Sequence, residues 1–182
     1  VLSELLSQLE ASLESEHDAV TEAAVVLLGR AARYLPADSA HVRRIVERLL
    51  SALRTPSELV QEAVASCLPA LVRASAAAKD VPSIVDRLFV DLLHGDKYAT
   101  RRGAAYGLAG VVKGRGVSAI RELRILARLS EAAHDTSTTT TRQGALFAYE
   151  LLASTLHVLL EPYVDGILAD LLLCFCLLYT SP

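Results

Sequence analysis

Apolar residues recur every three or four positions along this chain, in runs separated by short polar breaks. Leu2, Leu5, Leu6 and Leu9 already hold that spacing at the outset. The period is that of amphipathic helices with one buried face. It predicts helices in pairs: 1–13 with 18–34, 39–53 with 58–74, 82–93 with 98–113, and 118–133 with 141–158. A further helix starts at Pro162. Here the first helix of each pair is A and the second is B. The breaks carry turn residues: Glu14-Ser-Glu-His-Asp18, Thr55-Pro-Ser57, Gly95-Asp96 and His134-Asp-Thr-Ser137. Pro36 is placed to stop the first B helix, and Ser57 to N-cap the second. Pro82 falls near the start of its A helix, where the missing N–H costs nothing.

The pairs repeat. Val20-Thr-Glu-Ala-Ala, Val60-Gln-Glu-Ala-Val, Thr100-Arg-Arg-Gly-Ala and Thr141-Arg-Gln-Gly-Ala occupy matching points of the B helices. Their small residues Ala23, Ala63, Gly103 and Gly144 are spaced 40, 40 and 41 apart. The A helices match too, through Ile45-Val-Glu-Arg-Leu49 and Ile84-Val-Asp-Arg-Leu88, and Pro162 follows Pro82 by two repeat lengths. Acids recur near the B-helix starts at Asp18, Glu58, Asp96 and Asp135, where the helix dipole favours them. A two-helix period of about 40 residues marks HEAT and armadillo arrays. The expected fold is therefore all-α, a HEAT/armadillo-type α-solenoid of antiparallel helix pairs. Its repeats run approximately over 1–36, 37–78, 79–116 and 117–159, with a truncated repeat at 160–175.

Counting from each small residue, position +5 is Leu28, Leu68, Leu108 or Tyr149, and position +8 is Ala31, Leu71, Val111 or Leu152. These share a helical face with the small residues and form the expected core. A single pair cannot cover that face, so neighbours must stack on it. The third B helix carries Gly103, Gly107 and Gly110, each costing about 1 kcal/mol against Ala in a helix interior. Close backbone approach or a flexible joint would account for them.

Composition narrows the class. Apolar residues make up 52 % of the chain, enough for a continuous core. The net charge of −3 excludes a strong whole-chain nucleic-acid footprint. Met is absent and the chain opens within a helical pattern, so an internal fragment of a longer protein is expected. The three cysteines, Cys67, Cys174 and Cys176, lack a disulfide spacing and fit a reducing compartment. Cys67 is expected to act as a small buried hydrophobe. The run Leu171–Leu178 is too short for a bilayer, which needs about 20 residues, so no membrane role is expected.

Chemical motifs are sparse. Gly114-Arg-Gly-Val-Ser-Ala119 matches the dinucleotide fingerprint only formally, because a helix and not a strand precedes it. The five histidines show no zinc-ligand spacing, and no G-x-S-x-G elbow occurs. The expectation is a non-enzyme with no cofactor, metal or catalytic residue. What stands out is a basic cluster in the third repeat: Lys97, Arg101, Arg102, Lys113 and Arg115, followed by Arg121, Arg124 and Arg128. It reads either as a solvated face or as a contact for phosphate backbone or an acidic partner.

Longer words carry a resemblance. Ser15-Glu-His-Asp-Ala-Val-Thr-Glu-Ala23, Val60-Gln-Glu-Ala-Val-Ala-Ser-Cys-Leu-Pro69, Asp96-Lys-Tyr-Ala99, Arg102-Gly-Ala-Ala-Tyr-Gly-Leu-Ala-Gly110, Val112-Lys-Gly114, Gln143-Gly-Ala-Leu-Phe-Ala148 and Glu161-Pro-Tyr-Val164 resemble the general control non-derepressible "one" family of translational activators. The likeness spans roughly 14–175, a region similar to the HEAT domain of fungal elongation factor three. The resemblance implies a cytoplasmic, non-catalytic scaffold that binds ribosomes, through ribosomal RNA or ribosomal proteins. It also implies an ATP-binding-cassette partner, and activation of the kinase of initiation factor two alpha during amino-acid starvation. The kinase contact would lie outside this chain. Lys97, Arg101, Arg102 and Lys113 fall inside matching words, and with Arg115 they are the candidate contacts. After Phe175 the likeness ends, and 176–182 resembles an extraneous, adapter-like tail.

Two other classes compete. A generic HEAT adaptor, such as a transport receptor or phosphatase scaffold, would show an acidic or apolar concave face. A HEAT-like metal enzyme of the deoxyhypusine hydroxylase type would need repeated His-Glu pairs, which this sequence lacks.

Overall fold

A computed structural model describes residues 2–35, 40–73 and 77–180. The described residues form helices and turns without a strand. In order they are α1 (Leu2–Ser12), α2 (Asp18–Ala31), α3 (Ala40–Ala52), α4 (Glu58–Arg73), α5 (Ala77–His94), α6 (Tyr98–Arg115), α7 (Ser118–Glu122), α8 (Ile125–Ala133), α9 (Thr139–Leu156) and α10 (Val164–Thr180). Short 3₁₀ segments at Ala32–Tyr34 and His157–Tyr163 follow α2 and α9. The B helices α2, α4, α6 and α9 pack side by side in one row. The A helices α1, α3, α5 and α8 each lie against their own B helix. One apolar cluster runs through the whole stack, from Leu6 to Cys174. This is an all-α helical solenoid.

Several boundaries depart from expectation. Pro36 lies outside the described residues. Helix α5 begins at Ala77, so Pro82 sits in its second turn and costs one helical hydrogen bond rather than none. Pro162 falls within a 3₁₀ segment, and α10 starts two residues later. The fourth A helix is broken into α7 and α8, with Arg124 in the left-handed region at φ 51°. The break has a packing reason. Ile120 and Ile125 are both buried. Five residues apart, an unbroken helix would set them about 140° apart around its axis. Interrupting it turns both inward.

The expected core face is buried except in the first repeat, where Ala31 is half-buried. Leu28, Leu68, Leu108 and Leu152 are 0 % exposed, and Leu71, Val111 and Tyr149 are also buried. The small residues explain how the pairs come so close. A Cβ at Gly103 would overlap the Leu53 carbonyl oxygen, and one at Gly144 would overlap the Leu92 carbonyl oxygen. Leu53 and Leu92 end the preceding A helices, so each B helix lies directly on the A–B turn of the pair before it. Ala23 is exposed, unlike its equivalents. Among the described residues, no turn packs on it. Helix α6 approaches α4 closely elsewhere too. A Cβ at Gly110 would lie 2.8 Å from the Ala65 oxygen, and one at Gly114 2.8 Å from the Pro69 Cα. Pro69 supplies no N–H to Ala65, so that carbonyl has no helical partner and faces Gly110 instead. The glycines of α6 thus serve close approach. Cys67 packs against Gly29 as a small buried group.

A second periodic device sits two residues before each small position. Thr21, Gln61, Arg101 and Arg142 are all buried polar residues. Each donates to a carbonyl of its own A–B turn: Thr21 to Ser15 at 3.3 Å, Gln61 to Thr55 at 2.7 Å, Arg101 to Gly95 at 2.6 Å and Arg142 to Asp135 at 2.6 Å. Turn carbonyls covered by the next pair have no water to accept from, so these side chains satisfy them. On the outer row, Glu47 pairs with Arg87 at 2.6 Å and Asp86 with Arg128 at 2.8 Å, each joining adjacent repeats. These pairs are largely exposed and contribute about 0–1 kcal/mol each.

Gly→Ala in an exposed helix stabilises by about 1 kcal/mol. At Gly144 the overlap with Leu92 reverses the sign. Gly144→Ala is expected to destabilise the chain by roughly 1–3 kcal/mol, read as a lowered thermal midpoint by circular dichroism. An unchanged or raised midpoint would show that no close approach exists there.

Candidate functional site

The basic residues singled out from sequence do not form one patch. Lys97 precedes α6 with an extended backbone, φ −92° and ψ 140°, and its side chain is exposed at the A–B turn edge. Lys113 and Arg115 lie in the last turn of the same helix. Sixteen residues at 1.5 Å per residue put Lys97 and Lys113 about 24 Å apart along the helix. The array therefore presents these cations at opposite edges.

Arg101 is not at the surface. It is 6 % exposed. One terminal nitrogen donates to Gly95 and Asp96 carbonyls, the other to Gln143 Oε1 at 2.6 Å. Its charge closes a turn and ties α6 to α9, so it is a structural group here and not an external contact. Arg102 is also engaged. Its guanidinium donates to Gln61 Oε1 at 3.1 Å, Glu58 Oε2 at 3.1 Å and the Pro56 carbonyl at 3.3 Å. It also lies 5.6 Å from the Tyr98 ring centroid. Arg128 is spent similarly, 3.7 Å over the Phe89 ring and paired with Asp86. Of the five candidates, Lys97, Lys113 and Arg115 are exposed and form no ion pair among the described residues.

Sequence reasoning missed what surrounds Arg102. Glu58 accepts from Arg102 and also from Tyr106 Oη at 2.9 Å. Burial, and then the Glu58 carboxylate, push the Tyr106 hydroxyl up to about 12. Tyr98 is half exposed and meets Phe147 edge-on at 5.1 Å. Glu58, Tyr98, Arg102, Tyr106 and Phe147 thus bridge α4, α6 and α9 along the inner row. The only sequence hint was the acid recurring at B-helix starts. Another such acid, Asp135, accepts from the Ser137 N–H and hydroxyl and from the Thr138 hydroxyl. Those bonds hold its carboxyl down at about 2. Asp135–Ser137 is therefore a hydrogen-bonded turn, Thr138 is the N-cap residue of α9, and Thr139–Thr141 form the first helical residues.

A buried polar network joins α10 to the stack. Asp170 accepts from Tyr149 and, at 3.0 Å, from Ser130 Oγ. Burial and that carboxylate raise the Tyr149 hydroxyl. At the end of α9, His157 takes φ 47° and ψ −124°, a strained conformation for a residue with a Cβ.

The remaining motifs behave as turns. Gly114–Ala119 spans the end of α6 and the start of α7, with Gly116 at φ 89°. His17, His94 and His134 sit at A–B turns. Among the described residues, no three His, Cys, Asp or Glu side chains converge as metal ligands. No described helix is long and apolar enough to cross a membrane.

Arg101→Ala is expected to destabilise the chain by about 2–4 kcal/mol, because charged hydrogen bonds are lost and buried carbonyls are orphaned. Lys113→Ala should stay within about 0.5 kcal/mol. Urea unfolding reads both. Equal effects would place Arg101 at the surface after all.

Comparison with known proteins gives this surface its context. Residues 101–176 match the family model described as EF3 N-terminal HEAT repeat. The chain is 47 % identical over 162 residues to human "Stalled ribosome sensor GCN1", covering 89 % of this chain and 6 % of that protein. It is 44 % identical over 166 residues to Arabidopsis thaliana "Protein ILITYHIA", covering 91 % and 6 %. It is 37 % identical over 171 residues to Saccharomyces cerevisiae "eIF-2-alpha kinase activator GCN1", covering 93 % and 6 %. The chain thus spans about 6 % of the length of the curated relatives it matches. No solved structure matches it. These identities over nearly the whole chain, with the HEAT-repeat match, place it in the GCN1 family of HEAT-repeat proteins, where it corresponds to one short segment.

Proposed function

We propose that this chain is a non-catalytic scaffold segment of a ribosome-associated translational activator. In that reading the array docks on ribosomal RNA or ribosomal proteins and helps promote activation of the eIF-2-alpha kinase during amino-acid starvation. One observation carries the proposal: the 47 % identity, over 89 % of the chain, to a human protein named as a stalled ribosome sensor. The yeast relative's name, a kinase activator, supports the second half. The kinase contact itself lies in regions outside this chain, the setting is cytoplasmic, and an ATP-binding-cassette protein is a further partner. The architecture supports a scaffold, since its polar groups go into joining repeats and the turns between them.

Residues 1–175 are read as the repeat array and 176–182 as an extraneous tail. The family match ends at residue 176, which supports that division. Helix α10 continues to Thr180, and Ser181 and Pro182 lie outside the described residues. The exposed cations Lys97, Lys113 and Arg115 are the contacts proposed for the ribosome. Arg102, engaged with Glu58, contributes by holding Tyr98 in place. A generic adaptor role is favoured by one feature: Leu59 and Tyr98 are exposed on the inner row beside Glu58.

The test is co-sedimentation of the chain with ribosomes at about 0.1 M salt. Reversing Lys97, Lys113 and Arg115 to Glu is expected to lower binding by tenfold or more, since phosphate contacts dominate such affinity. Undiminished binding would remove the exposed cations from the interface.

A further inference from the structure

A groove of roughly 330 Å³ opens on the inner row between α4, α6 and α9. Its floor is one face of α6, running from Tyr106 past Gly110 to Lys113. Ser66 lines one wall, and Ser154 and Thr155 line the other. The two ends differ in charge. Glu62 lies near Tyr106, where its carboxylate helps raise the phenol. Lys113 stands at the other end, about 10 Å further along α6, beside the strained His157. Lys113 makes no ion pair among the described residues, so its charge is available to a ligand.

From this geometry we infer that the groove binds an extended peptide segment of a partner protein, one that places an acidic side chain at Lys113 and a basic one at Glu62. The spacing fits that chemistry. Three residues of polyproline II-type extended chain span about 9 Å and return to the same face, so a basic and an acidic side chain three positions apart would reach both ends. Thr155 can donate to and accept from a peptide backbone, while Ser66 and Ser154, whose hydroxyls donate to the Ala63 and Leu151 carbonyls, can accept from a peptide N–H. A nucleic-acid strand fits worse. Glu62 would repel its phosphates, and single strands are held by a run of cations with stacking aromatics, whereas this groove offers one lysine.

The inference extends the scaffold reading above and shares only Lys113 with it. The test contains no ribosome, so its failure would leave the co-sedimentation result standing. The full chain, labelled with nitrogen-15, is titrated with the capped tetrapeptide Lys-Val-Thr-Glu and, separately, with hexauridylate. Peptide at millimolar concentration is expected to shift amides of 106–113 and 154–157. Lys113→Glu should weaken binding about fivefold, the scale of one solvent-accessible ion pair. Arg115→Glu, outside the groove, should change it less than twofold. Ser154→Glu, an exposed wall residue, should weaken it as Lys113→Glu does, with the thermal midpoint of both variants unchanged. No shifts, equal loss in Arg115→Glu, or stronger groove shifts with hexauridylate would each overturn the inference.

Discussion

The array depends on one constraint: at the second and third A–B turns, carbonyl groups are buried beneath the B helix of the next pair. Buried carbonyls need donors, and a helix can lie on a turn only where it lacks a bulky side chain. Both demands are met at one oxygen by residues from successive B helices. Gln61 donates to the Leu53 carbonyl at 3.0 Å, and Gly103 leaves room for that same oxygen. Gln61 also reaches the Ala99 carbonyl at the start of α6, so one amide ties a turn to two successive pairs. The apolar seam supplies the bulk of the stabilisation, and these polar contacts fix its register.

That constraint distributes everything else. With B helices drawn together over turns, the inner row is tight, while the outer row is bridged by exposed Arg–acid pairs. Hydrogen-bonding capacity goes first to the turns and the seams between repeats. Arg101 is consumed there outright, and Arg102 nearly so. What remains for partners is what the seams do not need: cations at the two edges, and a groove along α6 with Glu62 and Lys113 at its ends.

The repeat was legible because its small residues recur at fixed spacing and steric overlap tolerates almost nothing else. Leu68, Leu108 and Leu152 followed from the same count. The donors two positions earlier were not legible, because Thr21, Gln61, Arg101 and Arg142 share a task and no side-chain chemistry. A guanidinium reads identically in sequence whether it faces water or a carbonyl, so Arg101 looked like surface charge. The break between α7 and α8 was also hidden. Leu123 and Arg124 continue a plausible helical pattern, and only the need to bury both Ile120 and Ile125 breaks it. Ala23 shows the reverse case: the motif is present, but none of the described residues forms a turn against it. The groove was invisible because its walls come from three repeats.

The most direct test is a double-mutant cycle on the Leu53 carbonyl, pairing Gln61→Met with Gly103→Ala and read by urea unfolding of the full chain. Both substitutions act on one oxygen, so strong non-additivity is expected, about 1 kcal/mol or more. Additivity within about 0.3–0.5 kcal/mol would mean that the two residues serve separate contacts, and that the buried turn does not organise the stack.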